Sequence, residues 1–501
     1  MNNAIIPRPA EPLVAQNLFR TQVYKSQAVP LFAEARPYLP EPILPQHEAW
    51  VALYWRAWEL AWTSLRHPAP GSRLVANYIA TAKETPLTMW DAVFMTQFGL
   101  YGRRAFNFMG TLNNFYARQH EDGFICRVID MQTGHDLHHP FDPDGTGPNL
   151  LALAEWRYFR LTGDDGRLAD VFWPLVAYHN WCRDNRTWPT GMYWATGVSS
   201  HMDNQPRVPN SRNHHRHWTW ADATIQAAIS CLSLAQIAHH LGQDEMAVVF
   251  NEEYTHLGDL INQHLWDEES QFYVDVSANG RFSRVKSGGA YWVLLANGLA
   301  PRKHRKALVQ ALRENWAFNL PHRIPSLSAD SEGYNADGGN RWRGGVWPTT
   351  NYMTLRGLRQ IGKHTFAHSI AMNHMQHVYD VYEQTGYLWD NYAPETTAAG
   401  EPARRNDTTS CITPIAMLLE DVIGLAVDWP HRRVYWDRRL ESEAAYGIRN
   451  YPLGPVGKLD ILADPNRVQL TTDVPFTLIV QDANQKLQTA VATGTSEIDL
   501  T

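Results

Sequence analysis

The chain has 501 residues, 44% of them hydrophobic and 19% charged, and a formal net charge of −7. That balance excludes an intrinsically disordered chain and argues against a nucleic-acid or membrane-surface partner; the length allows one large barrel with an appendage. The four cysteines, Cys126, Cys182, Cys231 and Cys411, form no CxxC pair and no metal-ligand spacing, so free thiols in a reducing compartment are expected.

The N-terminus, MNNAIIPRPAEP, has neither a basic n-region nor an apolar h-region, and no apolar run approaches membrane-spanning length. A cytoplasmic protein is expected. Residues 1–45 are rich in Pro and polar residues and read as an arm lying on the surface. Between residues 48 and 423 helical periodicity marks twelve segments: 48–66, 91–101, 104–119, 147–162, 167–186, 221–241, 244–265, 288–298, 302–315, 347–361, 364–385 and 411–423. Asp165-Gly166 and Gly242 read as stops between helices. Short links join every second pair. Long segments fill 67–90, 120–146, 187–220, 266–287, 316–346 and 386–410, and long structure-poor connections are usually functional. Strict alternation puts all the long loops at one end of a ring of helix hairpins. The expected fold is therefore all-α, an (α/α)6 barrel over residues 46–425. After about residue 425 short strands such as Val468–Thr472, Phe476–Val480 and Leu487–Val491 predict a small β-rich unit over 426–501.

The chemistry-bearing segments lie in the long loops. Met89-Trp90-Asp91 closes the first and enters a helix, where Asp91 also suits a helix N-terminus. The third loop carries Gly197-Val198-Ser199-Ser200-His201-Met202-Asp203-Asn204-Gln205-Pro206-Arg207. A carboxyl among small and amide residues suits a ligand-facing acid, while an Asp–Arg loop clamp is the plainer reading. The fifth loop ends in Asn340-Arg341-Trp342-Arg343-Gly344-Gly345-Val346-Trp347-Pro348; Trp342, Arg343 and Trp347 can line a sugar site by stacking and hydroxyl hydrogen bonds, or the tryptophans can be core. The sixth carries Gly386-Tyr387-Leu388-Trp389-Asp390-Asn391-Tyr392-Ala393-Pro394-Glu395, two carboxylates among aromatics. Inverting sugar hydrolysis needs one acid and one base on opposite faces of the ring with a water between them. The histidine groups His135, His138 and His139, and His214, His215 and His217, have no HExxH pattern and read as solvated loop residues, so no metal is expected. No nucleotide-binding glycine motif is present.

Taken in order, these segments resemble the inverting glycosidase clan that holds trehalase (glycoside hydrolase family 37) and family 63, which includes processing α-glucosidase and the mannosylglycerate and glucosylglycerate hydrolases. The resemblance covers residues 48–425 and rests on four motifs: Trp-Asp at the first loop, the loop around Asp203, the Trp-Arg-Gly-x-x-Trp-Pro segment and the late Asn-Tyr-x-Pro segment. It implies that Asp203 is the general acid and that Trp90 and Asp91 hold the sugar at the cleaved position. It further implies that Arg207, Trp342, Arg343 and Trp347 form the other wall, with Trp389 and Tyr392 flanking the base. Three departures stand out. The family's basic Glu is replaced by Asp390, Ser199-Ser200 replaces a common Ser-Gly, and Thr408-Thr409-Ser410-Cys411 replaces an aromatic pattern. Asp is a methylene shorter than Glu, and Glu395 is the nearest alternative base. The implied activity is hydrolysis of an α-linked glucoside, mannoside or related small glycoside, exo-acting, with a small carbohydrate as partner and no cofactor. An inverting phosphorylase using Arg404-Arg405 and a catalytically silent sugar-binding protein are the alternatives.

Overall fold

The computed structural model describes residues 9–81, 86–296, 298–482 and 485–500. Among the described residues, twelve helical segments build the barrel, with shorter helical turns before, between and after them: α1 (Glu48–Thr63), α2 (Met89–Gly99), α3 (Gly110–Ala117), α4 (Leu151–Thr162), α5 (Asp165–Asn185), α6 (Ala221–His240), α7 (Asp244–His264), α8 (Gly288–Leu295), α9 (Arg302–Ala311), α10 (Pro348–Gln360), α11 (His364–Thr385) and α12 (Thr413–Val422). Burial sorts them into two sets. α2 and α12 are buried at every position, whereas α7 buries Ala247, Phe250, Leu257 and Ile261 and α9 only His304, Leu308 and Val309. A helix apolar all round belongs inside, and one with a narrow apolar stripe packs outside. The even-numbered helices form the inner ring: α2 touches α4, α4 touches α6, and so on through α8 and α10 to α12, which returns to α2. This closed ring is the (α/α)6 barrel that the alternating loop lengths predict. α6 is long and apolar enough to cross a membrane by composition, contrary to the expectation from the apolar runs; it is an inner helix, and 83% of that stretch is buried within the protein.

Local chemistry sets the helix ends. Gly163 stops α4 in the left-handed conformation at φ 68°, and Asp164 then caps α5 by accepting a hydrogen bond from the Arg167 N–H. Asp165-Gly166 therefore forms the first turn of α5 and not the break between helices. Pro348 occupies the first turn of α10, where its missing N–H costs nothing. α8 winds as a 3-10 helix and α12 as a π-helix.

The C-terminal region is built from β2 (Leu425–Asp428), β3 (Arg433–Asp437), β4 (Tyr446–Leu453), β5 (Gly457–Ala463), β6 (Arg467–Thr472), β7 (Phe476–Gln481), β8 (Lys486–Val491) and β9 (Gly494–Asp499), joined by β1 (Glu41–Ile43) from the N-terminal arm. One sheet has the order β1-β4-β5-β6-β9 and the other β2-β3-β7-β8. All neighbours are antiparallel except β3 and β7, which run parallel. The arm is thus not merely laid on the surface: Glu41, Pro42 and Ile43 pair with Arg449, Ile448 and Gly447. Further back, Asn17 donates to the Tyr116 carbonyl at 2.9 Å and to Gln119 at 2.8 Å.

The six long loops are stitched together around the mouth. Leu87–Thr88 pairs with Val128–Ile129, and Trp218–Thr219 with Val276–Ser277. Bridges join Ser287 to Leu327 and Val346 to Tyr392. The Asn213 amide donates to Asp144 at 2.5 Å, and the Thr408 hydroxyl donates to the Thr81 carbonyl at 3.1 Å. Every loop is thereby tied to the next, which holds side chains from distant parts of the sequence in one rigid rim.

Candidate active site

Asp203 sits on the third loop at this mouth with its side chain 13% exposed. Its Oδ2 lies 3.2 Å from Arg341 Nη1 and 3.4 Å from Arg212 Nη2, and its Oδ1 is buried without a hydrogen-bond donor. The loop is clasped to the fifth. Asn204 donates to the Asn340 carbonyl at 2.8 Å and accepts from the Trp342 N–H at 3.1 Å, while Gln205 donates to the carbonyls of Ser326 at 2.7 Å and Trp342 at 3.2 Å. Gly197 permits the fold-back: a Cβ there would stand 2.8 Å from the Asp203 carbonyl oxygen and 3.1 Å from Arg212 Cα.

Buried aromatic rings pack behind the loop segments that carry Asp203 and Arg341, with Trp342, Trp347 and Trp90 1%, 5% and 4% exposed. Trp342 and Trp347 stack at 3.9 Å with their planes 1° apart, and the Trp347 indole donates to the Arg341 carbonyl at 3.2 Å. Trp90 stacks on His201 at 4.9 Å and meets Trp342 edge-on at 6.5 Å. His201 Nε2 is 3.7 Å from Asp91 Oδ1. Burial, and then the cations of Arg127, Arg404 and Arg341, hold the His201 imidazole well below its ordinary range, so it stays neutral.

A second cluster of charge comes from the sixth loop. Asp390 is 4% exposed. Its Oδ1 accepts from the Arg404 backbone N–H and from Asn391 Nδ2, both at 2.8 Å, and its Oδ2 accepts from Arg404 Nε at 2.9 Å. Arg404 Nη2 also meets Asp407 Oδ2 at 3.0 Å. Burial alone would lower the Arg404 guanidinium, but Asp407, Asp91 and Asp390 carry it above its usual value. Gly400 makes the turn possible, because a Cβ there would fall 1.7 Å from Asn391 Oδ1. Burial, and behind it the nearby Asp407, pushes the Asp91 carboxyl up to about 7, with Arg404 opposing. Asp407 is likewise raised by burial, against Arg404.

The Asp91 shift has a thermodynamic consequence. The folded state keeps the proton up to about pH 7, whereas the unfolded chain releases it near pH 4. Protein stability therefore falls as pH rises through that window and levels off above it. Asp91→Asn, which has no charge to bury, is expected to gain stability over the parent as pH rises from 4 to 8, by up to about 4 kcal/mol, while losing sugar affinity. Urea denaturation at the two pH values checks this; an equal difference at both would mean that Asp91 is ionised throughout.

The structure brings Asp203, Trp90, Asp91, Trp342 and Trp347 to one mouth, with Asp390 coupled to Asp91 through Arg404. Trp389 is half-buried on the same loop, with its indole donating to Thr385 at 3.1 Å. Four expected site residues have other roles. Arg207 is a correction: its side chain is 2% exposed and bridges Asp222 and Asp275, with Nε 2.6 Å from Asp275 Oδ2 and Nη1 2.7 Å from Asp222 Oδ2. All three guanidinium nitrogens face a carboxylate and the group lies over Trp220 at 4.5 Å, so it is a buried clamp. Tyr392 is also corrected: it is fully buried, and its hydroxyl accepts from the Trp389 N–H at 3.2 Å, so it props the loop from behind. Arg343 turns to the Gly333 carbonyl, with Nε at 2.9 Å, and Arg341 is the arginine beside Asp203. Glu395 is exposed and accepts from the Tyr334 hydroxyl at 2.9 Å, in a shallow hollow beside Asn315 and Asn319, which follow α9, and Asn373 of α11. Sequence reasoning missed His201, Arg212, Arg341 and Asp407. Arg341 was hidden because Asn340 and Arg341 take positive φ, 33° and 58°, which reverses the direction of alternate side chains.

The Arg207 clamp predicts a large structural effect. Arg207→Met leaves two buried carboxylates unpaired, and breaking a buried pair in this way costs about 3–5 kcal/mol. Urea denaturation of the variant checks this, and a loss below about 1 kcal/mol would reduce the bridge to an ornament. A different cluster, His179, Cys231 and Glu253, brings possible metal-ligand atoms within 4.8 Å among the described residues. Glu253 already pairs with Arg183 at 3.2 Å, and burial pushes the Cys231 thiol well up, so these groups form a hydrogen-bonded packing unit.

Residues 107–407 match the family described as mannosylglycerate hydrolase MGH1-like glycoside hydrolase domains. An uncharacterized protein of Borreliella burgdorferi is 23% identical over 368 residues, covering 69% of this chain and 74% of the relative. A probable mannosyl-oligosaccharide glucosidase of Schizosaccharomyces pombe is 26% identical over 335 residues, 60% of this chain but only 40% of that protein. Among solved structures, the family 63 mannosylglycerate hydrolase of Thermus thermophilus in complex with glucose superposes with a TM-score of 0.58 at 18% identity, covering 73% of this chain and 99% of that one. With a barrel of twelve alternating helices and a family match over more than half of its length, the chain belongs to the MGH1-like glycoside hydrolases, in the (α/α)6 clan of families 63 and 37.

Proposed function

We propose that the protein is an inverting, exo-acting hydrolase of a small α-glucoside or α-mannoside, with Asp203 as general acid and Asp390 as general base. The observation that carries this reading is Asp203 itself: a carboxyl at the barrel mouth with Oδ1 free of donors, set beside the stacked Trp342 and Trp347 and the Trp90–Asp91 pair. Asp91 suits the hydroxyls of a sugar ring, and the tryptophans, stacked on one another and on His201, hold the wall of the site in place. Asp203 gives a proton to the leaving oxygen while Asp390 takes one from water on the opposite face. Two of the three donors on Asp390 fall on Oδ1, which leaves Oδ2 with a lone-pair direction for that water.

Arg341 and Arg212 each meet Asp203 Oδ2 through one nitrogen only and are 42% and 66% exposed, so their remaining N–H groups can meet a leaving group that carries a carboxylate, in keeping with the mannosylglycerate hydrolase to which the chain is similar. The phosphorylase alternative is weakened because Arg404 is already taken by Asp390 and Asp407, and Arg405 lies over Tyr387 at 5.2 Å. The test is a panel of α-glucosides and α-mannosides, with neutral and glycerate-type leaving groups, assayed with and without phosphate and followed by NMR of the released sugar. A β-anomer as first product, independent of phosphate and fastest with the anionic leaving group, is expected. An α-anomer first would replace inversion by retention, and a phosphate requirement would make the enzyme a phosphorylase.

A further inference from the structure

At the closed end of the barrel, away from the six long loops, the ends of the inner helices and the strands β2 and β3 enclose a second cavity of about 520 Å³. None of the mouth residues described above lines it. Its lining includes the apolar Phe94 and Trp156 together with the charged Arg157, Arg160, Arg356 and Glu420. Glu420 is saturated: it accepts from the hydroxyls of Tyr101 at 2.7 Å and Tyr352 at 3.1 Å, from Arg356 Nη1 at 2.7 Å, and from Arg157 Nη2. At the edge, Arg160 meets Asp428 at 3.3 Å, and outside the lining Arg359 pairs with Asp421 at 3.2 Å. Three guanidinium groups therefore face two carboxylates, an excess of one positive charge. Arg157, only 8% exposed, leaves Nη1 with no acceptor at all. A buried N–H without an acceptor is costly, and guanidinium forks match oxyanions in geometry and charge.

We propose that this cavity is a second ligand site, which takes a small organic oxyanion: a carboxylate or phosphate group against the arginines and a compact carbon body against Phe94 and Trp156. The ligand bridges the floor of the barrel and the β region, so by mass action it stabilises the folded chain. The test is thermal unfolding of the full chain in titrations of inorganic phosphate and of succinate, at ionic strength held constant with sodium chloride. At least one anion is expected to raise Tm in a saturable way. A response to phosphate alone identifies a phosphorylated ligand and to succinate alone a carboxylic acid; either supports the site. Leu232→Trp, which fills the cavity from α6 and keeps every charge, is expected to abolish the response. Arg157→Met is expected to weaken it about tenfold or more. Because that variant also unpairs Glu420, the Leu232 variant decides. No response to either anion, or a response that survives in Leu232→Trp, overturns the proposal. The readout is binding and not turnover, so neither outcome bears on the chemistry at the mouth.

Discussion

Asp203→Asn is expected to abolish turnover while sugar binding and stability stay close to those of the parent. The amide keeps the shape of the carboxyl and can still meet the surrounding loop, but it has no proton to give. General acid–base catalysis contributes about 10²–10⁴-fold, so kcat should fall by at least that factor with a poor leaving group. The loss should shrink when the leaving group is an activated phenol, which departs without protonation, and that contrast separates a lost acid from a disturbed pocket. Stability should change little, because the partners of Asp203 are Arg341 and Arg212, 42% and 66% exposed, and exposed pairs contribute at most about 1 kcal/mol. Activity within a few-fold of the parent on both substrate types would remove Asp203 from the role.

The second large effect is expected at Asp390. Asp390→Ala should lose about 10²–10⁴-fold in kcat, with partial rescue by azide entering the vacated space, whereas Glu395→Ala should remain close to the parent. The structure separates these two carboxylates although they are near neighbours in one loop. Asp390 is buried, bound to Arg404 and electrostatically tied to Asp91, whereas Glu395 is exposed and bound to Tyr334. Arg404 complicates the reading, since removing Asp390 also frees a guanidinium that Asp407 must then hold alone. Asp390→Asn keeps the shape of the side chain and one oxygen, which can still accept from the Arg404 backbone N–H, and is the control: a base predicts full loss in both variants, a purely structural clamp predicts partial recovery in Asn. If Glu395→Ala proves the more damaging, the base is Glu395 and the loop must close inward on substrate.

The barrel was legible in the chain alone. Alternating short and long connections between periodic helices are a local property, and a ring of hairpins satisfies them. That the Asp203 loop, the Trp342–Trp347 segment and the late Asp390 segment lie in the long connections was legible too, because the backbone leaves the regular helices there. Which of two neighbouring arginines faces Asp203 was not. The left-handed Asn340–Arg341 pair turns Arg341 inward and leaves Arg343 on Gly333, and such backbone states are set by what surrounds them. The fate of Arg207 was equally hidden: it follows the acid closely in sequence but is sealed between Asp222 and Asp275. Their approach depends on how the third and fourth loops pair, at a separation of up to 68 residues. Asp407 joined the site for the same reason: its partner Arg404 is local, but Asp91, the group that it perturbs, arrives from the other end of the closed ring. Charge and burial at a point in space sum over every loop that reaches it, and no single stretch of sequence carries that sum.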